Sequence, residues 1–159
     1  MMKLRRYDEA VKDYSAALMF AVSDKNIISR RGLAYLAMGK IENAQVEFSK
    51  VLTIEQYDTI GLLGTGRIFF LQGNLKEAGS YFCEATIRDK TSPEAHFYYA
   101  LWNYPQNQFF AADEALKKSE KLGFDRGSIG LWRYLLRIRQ NPQEGVDPVA
   151  DLKKAEVLG

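Results

Sequence analysis

The chain has 159 residues, 47% hydrophobic and 26% charged, with 22 basic and 20 acidic side chains, 12 glycines and 4 prolines. That length and composition suit one compact domain or a short row of small units with a continuous core, and exclude disordered and collagen-like chains. A net charge of +2 is too small to mark a nucleic-acid or anionic-membrane surface. A lone cysteine, Cys83, and a lone histidine, His96, exclude an internal disulfide and a structural zinc site.

The opening Met1 to Arg6 is basic, but Asp8, Glu9 and Asp13 interrupt the next stretch, and the apolar run Ala16 to Val22 is too short for a signal sequence. No stretch reaches the roughly 18 apolar residues of a membrane-spanning helix. The expectation is a soluble, cytoplasmic chain with no membrane insertion.

Internal repetition is the strongest signal. Ala10, Ala44, Ala78 and Ala112 recur every 34 residues. Tyr7, Ile41, Leu75 and Phe109 precede them by three residues, and Tyr14, Phe48, Phe82 and Leu116 follow by four. Next in each block stand Ala17, Val51, Ala85 and Ser119, and the same register sets small residues at Gly32, Gly66 and Ala100. Gly39, Gly73 and Asn107, which tolerate the left-handed backbone that ends a helix, separate the blocks.

In chain order, Tyr7 to Ala21 is predicted as a helix whose partner is missing, with a partly uncovered stripe of Tyr7, Val11, Tyr14 and Leu18. This implies either a piece of a longer array or a face that meets another chain. Ile41 to Leu52 is predicted as a helix because its apolar residues draw one stripe. Thr59 to Leu71 is the next helix, and the turn at Gly73 reverses the chain after it. Residues 116–123 reappear in altered form at 152–159, now 36 residues later, which places an insertion around 141–147 and a helix restart at Asp147 and Pro148. No unit hides its apolar face alone, so neighbours must stack.

Small residues at Gly32 and Ala44, aromatics at Tyr35 and Phe48, and a turn at Gly39, repeated over three units, resemble the tetratricopeptide repeat. The resemblance implies an all-α fold, an α-α superhelix of antiparallel helix pairs. Its units are 1–24 (the second helix of an incomplete repeat), 25–58, 59–92, 93–126 and a divergent helix pair at 127–159. Three departures stand out: His96 where tryptophan is favoured, Asn103 for the aromatic at Tyr35, and Tyr134 for the small residue.

Catalysis is not expected. Gly61, Gly64 and Gly66 lie in a helical register rather than in a strand-to-helix phosphate loop, and no Walker tripeptide occurs. His96 reads as a packed structural histidine rather than a general base. Cys83 reads as a buried or half-buried small hydrophobe. Asp8 with Glu9 and Asp113 with Glu114 are placed in early helix turns. The basic pairs Arg30–Arg31, Lys117–Lys118 and Lys153–Lys154 are dispersed among acids, so nucleic acid is not an expected partner. No cofactor or metal is implied.

In the resembled family, first helices line a concave groove that holds peptides. Carried over, the inward positions are Asn26, Ser29, Arg30 and Leu33, then Ile60, Leu63, Gly64 and Arg67. Glu94, Phe97, Tyr98 and Leu101 follow, and then Ser128, Leu131, Trp132 and Leu135. The peptide-binding candidates among them are Asn26, Arg30, Ile60, Leu63, Arg67, Phe97, Tyr98, Leu101 and Trp132. The lining lacks the lysine, asparagine and arginine set with which co-chaperones of the family grip a terminal carboxylate. Apolar and aromatic anchors, with an acidic residue near Arg30 and Arg67, fit it better. The alternative is that Phe97, Leu101, Leu131 and Leu135 pack internally. The expected function is a protein-interaction scaffold without chemistry of its own. The alternatives are a secretion-type chaperone for an extended apolar cargo segment and a self-associating segment of a larger assembly, docked through its N-terminal helix.

Overall fold

The computed structural model describes residues 2–140, with side chains from Arg6 onward. The repeated block at 152–159, the insertion around 141–147 and the restart at Asp147 and Pro148 lie outside the described residues. Among the described residues there are eight α-helices and no strand: α1 (Met2–Leu18), α2 (Lys25–Ala37), α3 (Ile41–Ile54), α4 (Thr59–Leu71), α5 (Leu75–Arg88), α6 (Pro93–Asn103), α7 (Phe109–Lys121) and α8 (Arg126–Gln140). The chain divides into two compact units, one ending at Arg88 and one beginning at Asp89.

Three helices begin at a side chain that satisfies free N–H groups. The Asp24 carboxylate accepts from the N–H groups of Asn26 and Ile27, Asp58 from Gly61, and the Ser92 hydroxyl from Ala95. These caps start α2, α4 and α6. They too recur every 34 residues. Gly39, Gly73 and Asn107 take φ of +72°, +80° and +61°, the left-handed geometry that reverses the chain between paired helices. After α6 the chain inserts a 3-10 turn at Tyr104–Gln106 before Asn107. Here the amide of Asn103, buried where an aromatic was expected, donates to the Tyr99 carbonyl at 2.7 Å and so fastens the end of α6.

In the first unit α2 packs on α1 and α3, and α4 on α3 and α5. Phe48 is fully buried among Leu36, Ala44 and Ile68, and Val51 is buried with Leu18 and Ile28. In the second unit, α6 packs on α7 and α7 on α8. There Leu116 and Ile129, each 1% exposed, anchor a core with Ala112, Ala115 and Leu136. Ala44, Ala78 and Ala112 occupy equivalent buried sites, as do Phe48, Phe82 and Leu116 four residues further on. Small residues at the first set let paired helices approach, and large ones at the second fill the gap.

Three expectations need correction. Cys83 is exposed, because it lies beside Phe82 on α5 and only Phe82 faces the core. Asp8, Glu9, Asp113 and Glu114 lie beyond the first turns of α1 and α7. Asp113 and Glu114 are held instead by Lys117, each at 2.8 Å, with Arg133 at 3.6 Å from Asp113. The predicted helix from Tyr7 begins earlier, at Met2, and stops at Leu18.

Candidate interaction surfaces on the first helices

In the first unit the expected lining residues come from α2 and α4, two helices in contact. Asn26 and Arg30 are one turn apart on α2 and exposed, while Ile60 and Arg67 on α4 are exposed and half-buried. Leu63 is 7% exposed and belongs to the core. Gly64 is buried because it receives the Phe48 ring, which leaves no room for a Cβ. Ser29 is buried as well, its hydroxyl donating to the Lys25 carbonyl at 2.7 Å. The surface that remains is narrower than the sequence implies and holds one cation in the open, Arg30.

The ends of these helices are fixed by charge. Lys25, at the start of α2, is bound by Glu55 and, at 2.9 Å, by Asp58, the cap of α4. Hydrogen bonds to those two carboxylates push its pKa up to about 12. The Lys25 ammonium therefore ties the start of α2 to the start of α4.

In the second unit α6 and α8 contribute Phe97, Tyr98, Leu101 and Trp132, and the structure gathers all four in one apolar cluster. Phe97 is 7% exposed and stacks on Phe124, with ring centroids 4.3 Å apart. Tyr98, Leu101 and Trp132 pack on the same cluster but stay half-buried. Trp132 meets the edge of Tyr104 at 5.4 Å. The indole is thus braced from one side and open on another. Leu131 is more exposed still, at 39%.

His96 is buried on α6, with Nε2 donating to the Lys90 carbonyl at 3.2 Å. Desolvation lowers its pKa and the nearby Lys118 adds to that, against the opposing pull of the Lys90 hydrogen bond and Asp89. A buried neutral imidazole already committed to a carbonyl is a structural group. Among the described residues no group of three or more His, Cys, Asp and Glu side chains is placed to hold a metal, and no helix is long and apolar enough to cross a membrane.

Residues 27–58 match the family model described as tetratricopeptide repeat. No curated protein matches the chain significantly. Solved structures do resemble it. A MamA chain from Desulfovibrio magneticus RS-1 shares 17% identity at a TM-score of 0.69, covering 98% of this chain and 88% of the other. The protein TTC0263, described as a thermophilic TPR protein of Thermus thermophilus, shares 16% identity at a TM-score of 0.74, covering 98% and 93%. A chain of the APC/C hetero-tetramer Cut9-Hcn1 reaches a TM-score of 0.79 at 17% identity, covering 94% of this chain and 33% of its own length. At such identities the likeness is one of fold.

Proposed function

We propose that this chain, which carries a tetratricopeptide repeat and folds as proteins of that family do, is a protein-interaction scaffold that holds a peptide or helical segment of another protein against its first helices. The reading rests on one observation above the others. Tyr98, Leu101 and Trp132, drawn from two first helices, converge on one cluster while each keeps part of its surface open. A rigid aromatic pair braced by a core is the kind of site that carries most of the energy of a protein interface. In the first unit, taken by itself, Arg30, Asn26 and Ile60 present a cation, an amide and an aliphatic contact, which suits an acidic residue beside an apolar one. The role is binding in the cytoplasm, with no reaction of its own.

The hetero-tetramer among the solved structures supports the reading, since there a protein of this fold is assembled with a different chain. Affinity capture from native extract with the wild type and with Tyr98→Ala/Trp132→Ala tests it. The expected result is loss of the captured polypeptide with little change in the melting temperature. Loss of folding together with capture would place both rings in the core and overturn the reading.

A further inference from the structure

Among the described residues, no helix covers the outer row of α3. Along it stand Glu42, Val46, Lys50 and Ile54, one turn apart, and beside them run the smaller Gln45, Ser49 and Thr53. Together with Val22 they border an open groove of about 830 Å³. Val22, Val46 and Ile54 are 74%, 52% and 47% exposed, more than helix packing within the unit requires. The row is independent of the candidate binding residues on α2, α4, α6 and α8.

The charges on this row are their own complement. Glu42 and Lys50 lie equally far from Val46 in sequence. A second α3 running antiparallel, with its Val46 opposite this one, therefore sets Glu42 against Lys50 of the other copy at both ends. Glu42 has no ionic partner among the described residues. Lys50 binds Glu47 at 3.0 Å but remains 51% exposed in its side chain, so its ammonium can reach a second carboxylate. Rows of residues four apart interlock at a crossing of about −50°, and the short side chains at Gln45, Ser49 and Thr53 leave a furrow for the opposing row. A patch that matches itself about a two-fold axis is the requirement for an isologous dimer.

We infer that the chain self-associates through α3, two copies packing antiparallel about Val46 with reciprocal Glu42–Lys50 pairs. A contact limited to four helical turns and the neighbouring Val22 is smaller than the roughly 800 Å² per partner of a standard interface. The dimer is accordingly weak and forms as concentration rises.

Sedimentation velocity on the full chain, from low micromolar to several hundred micromolar, reads this directly. The wild type is expected to shift reversibly from monomer to dimer. Glu42→Lys alone and Lys50→Glu alone each set like charges together at both ends and are expected to weaken the dimer by about tenfold or more. Mixing the two variants restores association as a heterodimer, and the Glu42→Lys/Lys50→Glu double variant restores the homodimer. Should Lys50→Glu unfold the chain by releasing Glu47, Val46→Lys at the axis serves in its place and abolishes the dimer. A chain that stays monomeric throughout overturns the inference, whether or not another protein covers this face. So does a dimer that the single charge changes and Val46→Lys leave intact, because it must use another surface, the N-terminal helix included.

Discussion

Phe48 is gripped from two sides. A Cβ at Gly32 would come within 3.0 Å of its ring, and one at Gly64 would overlap the ring outright. Gly64→Ala is therefore expected to lower stability by about 1–3 kcal/mol, the ordinary cost of forcing a methyl into a filled core. The cause is steric, so shrinking the ring in a Gly64→Ala/Phe48→Leu variant should return part of the loss. Gly39 offers the contrast. A Cβ there touches nothing, but its φ is +72°, so Gly39→Ala should cost about 1–2 kcal/mol through the backbone alone, and no change at Phe48 should relieve it. Urea unfolding of these variants separates the two mechanisms.

His96 supplies a residue-scale dependence on pH. Burial holds its folded-state pKa below the ordinary value of about 6.5. Above that value the ring is neutral whether the chain is folded or not, and it contributes nothing to the slope. Below it the unfolded chain takes up the proton first, so stability falls with pH until the folded ring also protonates. The lowered carboxyls of Asp89 and Asp125 act in the same direction, but in a lower window, through their folded values beneath about 4. The melting temperature should therefore drop between pH 7 and pH 5.5, and His96→Gln should flatten that slope. An equal slope in both proteins would assign the effect elsewhere. The resemblance indicated that this histidine is packed, because it occupies a position where the resembled family favours tryptophan.

At the scale of helices, the joint of α1, α2 and α3 is held by a polar network rather than by shape alone. Arg31 reaches Glu47 through Nη2 at 2.7 Å and Nε at 2.9 Å, and donates to the Ser15 hydroxyl at 3.1 Å. The Glu47 carboxylate is nearly closed to water, with 5% of its side chain exposed. Arg31→Met would leave that charge with Lys50 alone and should destabilise by about 2–4 kcal/mol, somewhat less than removing a sole partner. Arg31→Met/Glu47→Leu should recover most of it, since an apolar pair needs no compensation. A thermodynamic cycle by chemical denaturation gives the coupling.

This network was not legible in the sequence, and the reason is physical. Ala44, Phe48 and Gly39 could be read because the same packing problem is solved again 34 residues later. Arg31 and Glu47 have Thr65 and Tyr81 at the matching positions, so no periodicity points to them. The caps Asp24, Asp58 and Ser92 lie between these cases, since their spacing was present in the chain but their role shows only in the hydrogen bonds. The candidate surface divides the same way. The resemblance carried Tyr98, Leu101 and Trp132 over as inward residues and left internal packing of Phe97 open as the alternative, but register could not name the partner on which Phe97 stacks, Phe124, a residue of the connection between α7 and α8. Nor could it foresee that Phe48 would occupy the place of Gly64.

For the molecule as a whole, the caps and turns make 34-residue segments alike at their ends, while the Phe48–Gly64 contact makes them unlike in the middle. Position 64 is glycine, but its counterpart one period later is Tyr98. Removing residues 59–92 would join Asp58 to Pro93, a sound start for a helix, and would then bring a phenol to the spot that Phe48 already fills. Copying the same segment in tandem instead presents Phe82 with a second Gly64. An added segment is therefore expected to be accepted more readily than the loss of one. Thermal melts of the duplicated and deleted forms should show cooperative unfolding in the longer protein and collapse of stability in the shorter.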